Sequence, residues 1–354
     1  MLQKALVVVL VLASAGVFVS CGNTSSHYLY ATIPAASQLV VFREDPYSGV
    51  LTQLAGTPYA VGDGAQSVVI HPSNKFLYVA NPGQNENDVS LFDIASNGTL
   101  NEVSRTPVGT LPTLLAMDPG GNYLYVANAS SNNISVFSIA SSNGALTAVG
   151  LPFETNLSLS SMQLAPSGNY LYISAPGQPT GIIAVFSVTT GVIKFVGLTN
   201  TADSNPTGLA IDPAGSYLYS ANSAANSISI FSIASTGVLT EVQGSPLADA
   251  QSRPIALVVD PAGQNLYVAN QGSSNIGVYS ITSGTGFPTA ITDAPFSSEA
   301  QPSFLALDPS GKYLYVGNQG ASAGIEAFGI SNGSLNTIGT YGTGNTPSSI
   351  ALVQ

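Results

Sequence analysis

A Leu-Tyr pair recurs seven times along the chain, at Leu29-Tyr30, Leu77-Tyr78, Leu124-Tyr125, Leu171-Tyr172, Leu218-Tyr219, Leu266-Tyr267 and Leu314-Tyr315, spaced 47 or 48 residues apart. A fixed period of that length is the signature of a repeat architecture, in which one supersecondary unit buries its apolar face only by stacking on the next. Each unit holds four short β-like runs. In the third, Thr113 to Asp118 is mostly apolar and ends in the turn Asp118-Pro119-Gly120-Gly121. Tyr123 to Asn128 and Ile134 to Ile139 follow with alternating character, and Leu146 to Val149 follows a Ser-Asn-Gly turn. Runs this short, with turn signals every 8–12 residues or so, read as an antiparallel meander, and no segment sustains a helical period.

Four strands in each of seven repeats is the arithmetic of an all-β, seven-bladed β-propeller. An open array would need atypical polar repeats at its ends, and none is present. Instead the ends are complementary. The N-terminal part begins with a second strand, His27-Tyr28-Leu29-Tyr30, and the C-terminal part stops after a first strand, Pro347 to Val353. Joined, they complete one blade and close the ring. Twelve of the 16 Tyr lie in the second strands, and an aromatic ends each third strand: Phe42, Phe92, Phe137, Phe186, Phe231, Tyr279 and Phe328. Seven equivalent rings suit packing between blades better than any stacking role. Asn81, Asn128, Asn222, Asn270 and Asn318 recur at one strand end, where an Asn side chain suits local turn backbone.

Ahead of the repeats, residues 1–20 read as an export signal. Lys4 precedes the apolar run Ala5 to Val19, which is too short to span a bilayer comfortably. Phe18-Val19-Ser20-Cys21 places the only Cys of the chain where bacterial lipoproteins are lipidated, with Phe18 where Leu is usual. The expectation is a signal over 1–20, a lipidated tether over 21–27 and the propeller over 28–354. The protein would then be exported and held on the cell envelope by lipid on Cys21. One Cys makes neither an internal disulfide nor a thiolate zinc cluster, and two distant His make no His-based metal site. No cofactor is expected.

Phe76-Leu77-Tyr78-Val79-Ala80-Asn81, the Asp-Pro-x-Gly turns and the Gly-x-Leu-Thr-x-Val fourth strands resemble the lactonase family of seven-bladed propellers, with YVTN-type surface propellers close in pattern. That family includes bacterial 6-phosphogluconolactonase. The resemblance covers about residues 28–354 and implies lactone hydrolysis by a Pro-Arg-His stretch opening an innermost strand, ahead of a His-Pro turn. Here the openings are Pro112-Thr113-Leu114, Pro206-Thr207-Gly208, Pro254-Ile255-Ala256, Pro302-Ser303-Phe304 and Pro347-Ser348-Ser349, with Ala65-Gln66-Ser67 and Leu159-Ser160-Ser161 in the other two. None keeps Arg-His. Arg253 precedes its Pro, and His71-Pro72 stands where other repeats carry Asp118, Asp212, Asp260 and Asp308, so His71 reads as a turn residue.

The chain carries 18 acidic and 7 basic residues, a net charge of −11, which excludes a basic nucleic-acid footprint. Interblade connections and second-to-third strand loops share one face of a propeller. Assigned to that face are Asp63, Glu86, Asp88, Glu154, Asp203, Asp249, Asp293 and Glu299, against Arg105 and Arg253. An acidic mouth repels anionic lactones and lacks donors for an oxyanion. It suits a neutral glycan, a cation, or a basic peptide or protein. Asn85-Glu86-Asn87-Asp88 offers oxygen ligands without an EF-hand layout. The catalytic candidates are His71, Arg253, Glu86 and Asp203. These residues favour a non-catalytic, monomeric binding module. The resemblance supplies the alternative, a lactone hydrolase, and a structural envelope component is the third reading.

Overall fold

A computed structural model describes residues 27–83, 86–177, 179–201, 205–320 and 324–353. Cys21, the export segment and Asp203 lie outside the described residues. Seven antiparallel sheets stand in a ring, each built around four strands in sequential order from the axis outward. Blade 3 runs Pro112–Met117, Tyr123–Asn128, Asn133–Ile139, Leu146–Ala148. Blade 1 takes its innermost strand, Ser349–Leu352, from the C-terminal end of the chain, followed by His27–Ile33, Gln38–Glu44 and Leu51–Gln53.

The closure has the register that complementary ends require. Leu29 pairs with Leu352, Tyr30 with Ala351, Ala31 with Ile350 and Thr32 with Ser349. Ile350 and Leu352 pack toward blade 7 and Ala351 and Val353 toward blade 2, as strand alternation dictates. The Ser348 hydroxyl completes the seam by donating to the Gln66 carbonyl of blade 2 at 2.8 Å.

The apolar core is divided into seven clusters, one at each blade junction. The Tyr of every Leu-Tyr pair is wholly buried there, as are Phe92, Phe186, Phe231 and Phe328. Five of these tyrosines also hold the following blade by a hydrogen bond. Tyr30, Tyr78, Tyr172, Tyr219 and Tyr315 donate to the carbonyls of Gly98, Gly144, Gly237, Gly286 and Gly49, in the turn between third and fourth strands. Tyr125 and Tyr267 have no such partner. The blades they face, 4 and 7, replace that turn by two-residue hairpins, Thr190-Gly191 and Asn332-Gly333, both residues with positive φ. The tighter hairpin does not present its carbonyl to the hydroxyl.

Four strands per blade is incomplete for blades 1, 3, 5 and 6. There the fourth strand stops after three residues, and a further two-residue strand returns to pair with the start of the third: Tyr59–Ala60, Phe153–Glu154, Leu247–Ala248 and Phe296–Ser297. Blades 2, 4 and 7 instead extend the fourth strand: Leu100–Pro107, Val192–Asn200 and Ser334–Gly342. Among the described residues no helix is long and apolar enough to cross a membrane.

Candidate functional site at the propeller mouth

The five recurrent Asn sit at the mouth end of the second strands, all essentially without solvent contact. In four of them, Asn81, Asn128, Asn222 and Asn270, the amide does not cap turn backbone, as the sequence suggests, but bridges to side chains on the third strand, while Asn318 Oδ1 accepts from Ser298 Oγ in the connection between blades. Asn81 Nδ2 donates to Asp88 Oδ1 at 2.7 Å and Ser90 Oγ at 2.9 Å, and Asn128 Nδ2 to Asn133 Oδ1 and Ser135 Oγ. The reason is position: Asn81 is the last residue paired with the third strand, directly opposite Asp88. A buried amide must find a partner, and the nearest are across the strand pair.

At the junction of blades 1 and 2 this ladder joins a charged group. Asp88 is buried at the start of the third strand, and Glu102 and Arg105 stand on the outer strand Leu100–Pro107. Arg105 Nε donates to Glu102 Oε1 at 2.6 Å, and Nη1 lies 3.1 Å from Glu86 Oε2. Glu86 Oε2 also accepts the Asp63 N–H at 2.6 Å, Asp63 Oδ1 accepts from Ser37 Oγ, and Ser90 Oγ donates to Glu102. Two of the sequence-selected acids, Glu86 and Asp88, are therefore brought together beside one guanidinium, and Asp63 joins them through its backbone N–H on Glu86. Burial pushes the Asp88 carboxyl above the usual range, against the Asn81 amide and Arg105. A carboxylate held there is a better proton acceptor than a solvated one.

A second departure from sevenfold regularity lies between blades 5 and 6. Asp249 is buried, with Oδ1 accepting from Tyr279 Oη at 2.9 Å and from the Gln251 N–H at 3.0 Å. Gly277 makes room: a Cβ there would lie 3.0 Å from the Tyr279 ring. Burial raises both the Asp249 carboxyl and the Tyr279 hydroxyl. Glu326, which nothing in the sequence pattern singles out, is buried in blade 7 and accepts from Ser298 Oγ and the Glu299 N–H. Burial lifts its carboxyl too.

The remaining candidates are dispersed. Glu154 is exposed on a short edge strand and accepts from Asn133 Nδ2. Asp293 is not at the mouth. Its turn joins the fourth strand of blade 6, which pairs with the lower end of the third, to the short strand paired with the upper end, so Asp293 lies on the outer rim. Arg253 is exposed with φ +56, and its backbone N–H donates to Asn226 Oδ1. Leu111 and Gln301 share that kink before Pro112 and Pro302, so the fold does not demand an Arg there. His71 is buried on the opposite face. Its Nδ1 accepts the Ser73 N–H at 3.0 Å, which leaves Nε2 to donate to the Gly121 carbonyl at 2.9 Å. His71 is thus a turn residue that also ties blade 2 to blade 3, and it does not meet Arg253 or Glu86.

Where a Pro-Arg-His opening would place Arg, small hydroxyls clip neighbouring blades together. Ser160 Oγ donates to the Pro206 carbonyl at 2.6 Å and Thr207 Oγ1 to the Pro254 carbonyl at 3.3 Å. Among the described residues, no group of three or more His, Cys, Asp or Glu is placed to hold a metal ion.

The family described as Lactonase, 7-bladed beta-propeller matches residues 23–156, 151–253 and 244–352. A 6-phosphogluconolactonase of Formosa agariphila is 40% identical over 105 residues, 28% of this chain and only 30% of that relative's length. A Bacteroides fragilis propeller provisionally assigned as a 6-phosphogluconolactonase superposes with a TM-score of 0.80 at 20% identity, covering 94% of this chain and 99% of that one. The Pseudomonas aeruginosa periplasmic gluconolactonase superposes with a TM-score of 0.77 at 20% identity, covering 93% and 99%. At such identities the superpositions speak for the fold.

Proposed function

The chain belongs to the seven-bladed β-propeller lactonase family, and on that premise we propose that it hydrolyses an uncharged sugar lactone in preference to a phosphorylated one. The observation that carries the preference is the charge of the mouth. Asp63, Glu86, Asp88, Glu154, Asp249, Glu299 and Glu326 face it with only Arg105 and Arg253, and Arg105 is already paired with two carboxylates. A phosphate would approach against that field with only Arg253 free of an ion pair to meet it.

Hydrolysis adds water across the ring ester. A base takes a proton as the water oxygen bonds to the acyl carbon, and the carbonyl oxygen becomes an oxyanion. The ring C–O bond then breaks, and its oxygen takes up a proton to give the hydroxy acid. Asp88 is the base in this reading, raised by burial and fixed by Asn81. The Arg105 N–H groups not engaged by Glu86 and Glu102 are the donors that stabilise the oxyanion, a role whose loss costs about 10²–10³ in rate.

The test is hydrolysis of D-glucono-1,5-lactone by the purified protein, corrected for the spontaneous reaction, with Asp88→Asn and Arg105→Gln alongside. Both variants should fall toward the uncatalysed rate. Turnover that survives both variants would remove these assignments. A non-catalytic binding propeller is the second reading, favoured by the hydroxyls at the strand openings. It predicts saturable binding of a neutral glycan, a cation or a basic peptide at the mouth with no turnover.

We also propose that the reaction takes place outside the cytoplasm, with the protein held on the envelope by lipid on Cys21. Cys21→Ser should move it to the soluble fraction, and a variant that stays membrane-bound would refute the anchor.

A further inference from the structure

We propose that the outer edge of blade 4 is the surface through which two copies of this chain associate, edge strand against edge strand. Its outermost strand, Val192–Asn200, spans nine residues and ends its sheet. The last strand of a sheet leaves backbone N–H and C=O groups unpaired along its outer side, a template for another strand. Most blades blunt that edge. Blades 1, 3, 5 and 6 stop it after three residues, and blade 2 places Glu102 and Arg105 on it and ends it at Pro107.

Blade 4 does the opposite. Phe195 is 56% exposed, Leu198 55%, Val192 48% and Val196 37%. No other edge strand exposes so much apolar side chain among the described residues; blade 2 shows Val103 alone and blade 7 none of the large hydrophobics. Beneath the patch a buried ring links the strand to blade 3. Phe195 stacks edge-on against Phe186, Phe186 against Phe153, and Leu151, two residues upstream of Phe153, is 92% exposed. Exposed apolar surface gathered in this way marks an interaction site.

The occupant follows from charge and from the backbone. In a chain of net charge −11, residues 155–202 contain no Asp or Glu and a single base, Lys194. A second copy can therefore approach the edge of blade 4 without opposing carboxylates. A lipid surface would welcome the apolar side chains, but it offers nothing to the unpaired backbone groups, which are costly to leave unbonded in hydrocarbon. A strand satisfies both. Antiparallel pairing about a two-fold axis near Val196 places Lys194 opposite Leu198 of the partner subunit, so the two ammonium groups do not meet. Val196 is the bulged residue of the strand, so the pairing runs over the arms on either side of it. This association departs from the monomer that the sequence suggests.

The experiment is the molar mass of the full chain, purified in mild detergent, by light scattering at micromolar concentration. Wild type should have the mass of two chains. Phe195→Lys combined with Leu198→Lys should have the mass of one, with unchanged circular dichroism, because both side chains are more than half exposed. Val103→Lys on blade 2 should leave the pair intact. Where the double variant disturbs the fold, Leu198→Lys alone serves. A one-chain mass for wild type, or a two-chain mass that persists in the lysine variants, would overturn the proposal. So would a one-chain protein whose patch binds lipid vesicles of anionic composition.

Discussion

Two glycines with the same backbone sign separate the conformational cost of a turn from the cost of blade packing. Gly98 (φ +80) lies in the turn between third and fourth strands of blade 2, and Gly56 (φ +86) lies in an exposed turn at the rim of blade 1. A Cβ on Gly56 would meet nothing within 4 Å, whereas one on Gly98 would lie 2.3–2.7 Å from ring atoms of Tyr28. Tyr28 is buried and cannot swing away, and the Gly98 carbonyl also accepts the Tyr30 hydroxyl at 3.1 Å. Gly56→Ala should therefore cost only the left-handed backbone term, about 1–2 kcal/mol. Gly98→Ala adds overpacking of about 1–3 kcal/mol and the weakening of one interblade hydrogen bond, about 1 kcal/mol. Its total is about 3–6 kcal/mol. Urea unfolding of both variants beside wild type, followed by circular dichroism, reads the difference as a shift in midpoint at constant slope. Equal losses for the two alanines would refute the view that these turns lock each blade onto the one before it.

The tyrosine hydroxyls should sort by partner: Tyr30→Phe loses about 1 kcal/mol, while Tyr125→Phe, whose hydroxyl is buried without a partner, should unfold at the same or higher urea. Glu44 is buried beside Tyr315, and burial pushes its carboxyl up to about 7. The native state then keeps a proton that the unfolded chain has lost, so stability should fall as pH rises from about 4.5 to 7, by on the order of 1–3 kcal/mol. Melting curves at pH 5 and 8 should show Glu44→Gln losing much of that fall, with the part due to Asp88, Asp249 and Glu326 remaining; an unchanged fall would contradict it. His71→Asp, which restores the residue of the other turns, should leave lactone turnover at the wild-type level, and a large drop would return His71 to the site.

The ring was readable because its information is repeated. The Leu-Tyr pairs set the period, the third-strand aromatics marked the packing between blades, and the phase of the two ends set the closure. The mouth was only partly readable. Asp63, Glu86 and Asp88 converge as loop position implies, but Asp293 does not, because the two-residue strands of blades 1, 3, 5 and 6 carry no pattern of their own and shift that turn to the rim. The Asn partners were also missed, since a register across two strands decides them rather than the local turn. Glu44 and Glu326 look like surface charges in sequence, and only packing against a neighbouring blade reveals their burial. Blade 4's lack of any acid was legible from the start. Its meaning was not, until the outer strand proved to be an uncovered edge.

The proposed selection of lactones by the charge of the mouth is open to direct measurement. The measurement that meets it most directly is kcat/KM for D-glucono-1,5-lactone and for its 6-phosphate, in the same buffer at low and at high salt. The neutral lactone should be turned over above about 10⁴ M⁻¹s⁻¹, the low end of ordinary enzymes. The phosphorylated one should lag it and recover partly as salt screens the acidic mouth. A phosphorylated substrate that is preferred at low salt would contradict the account.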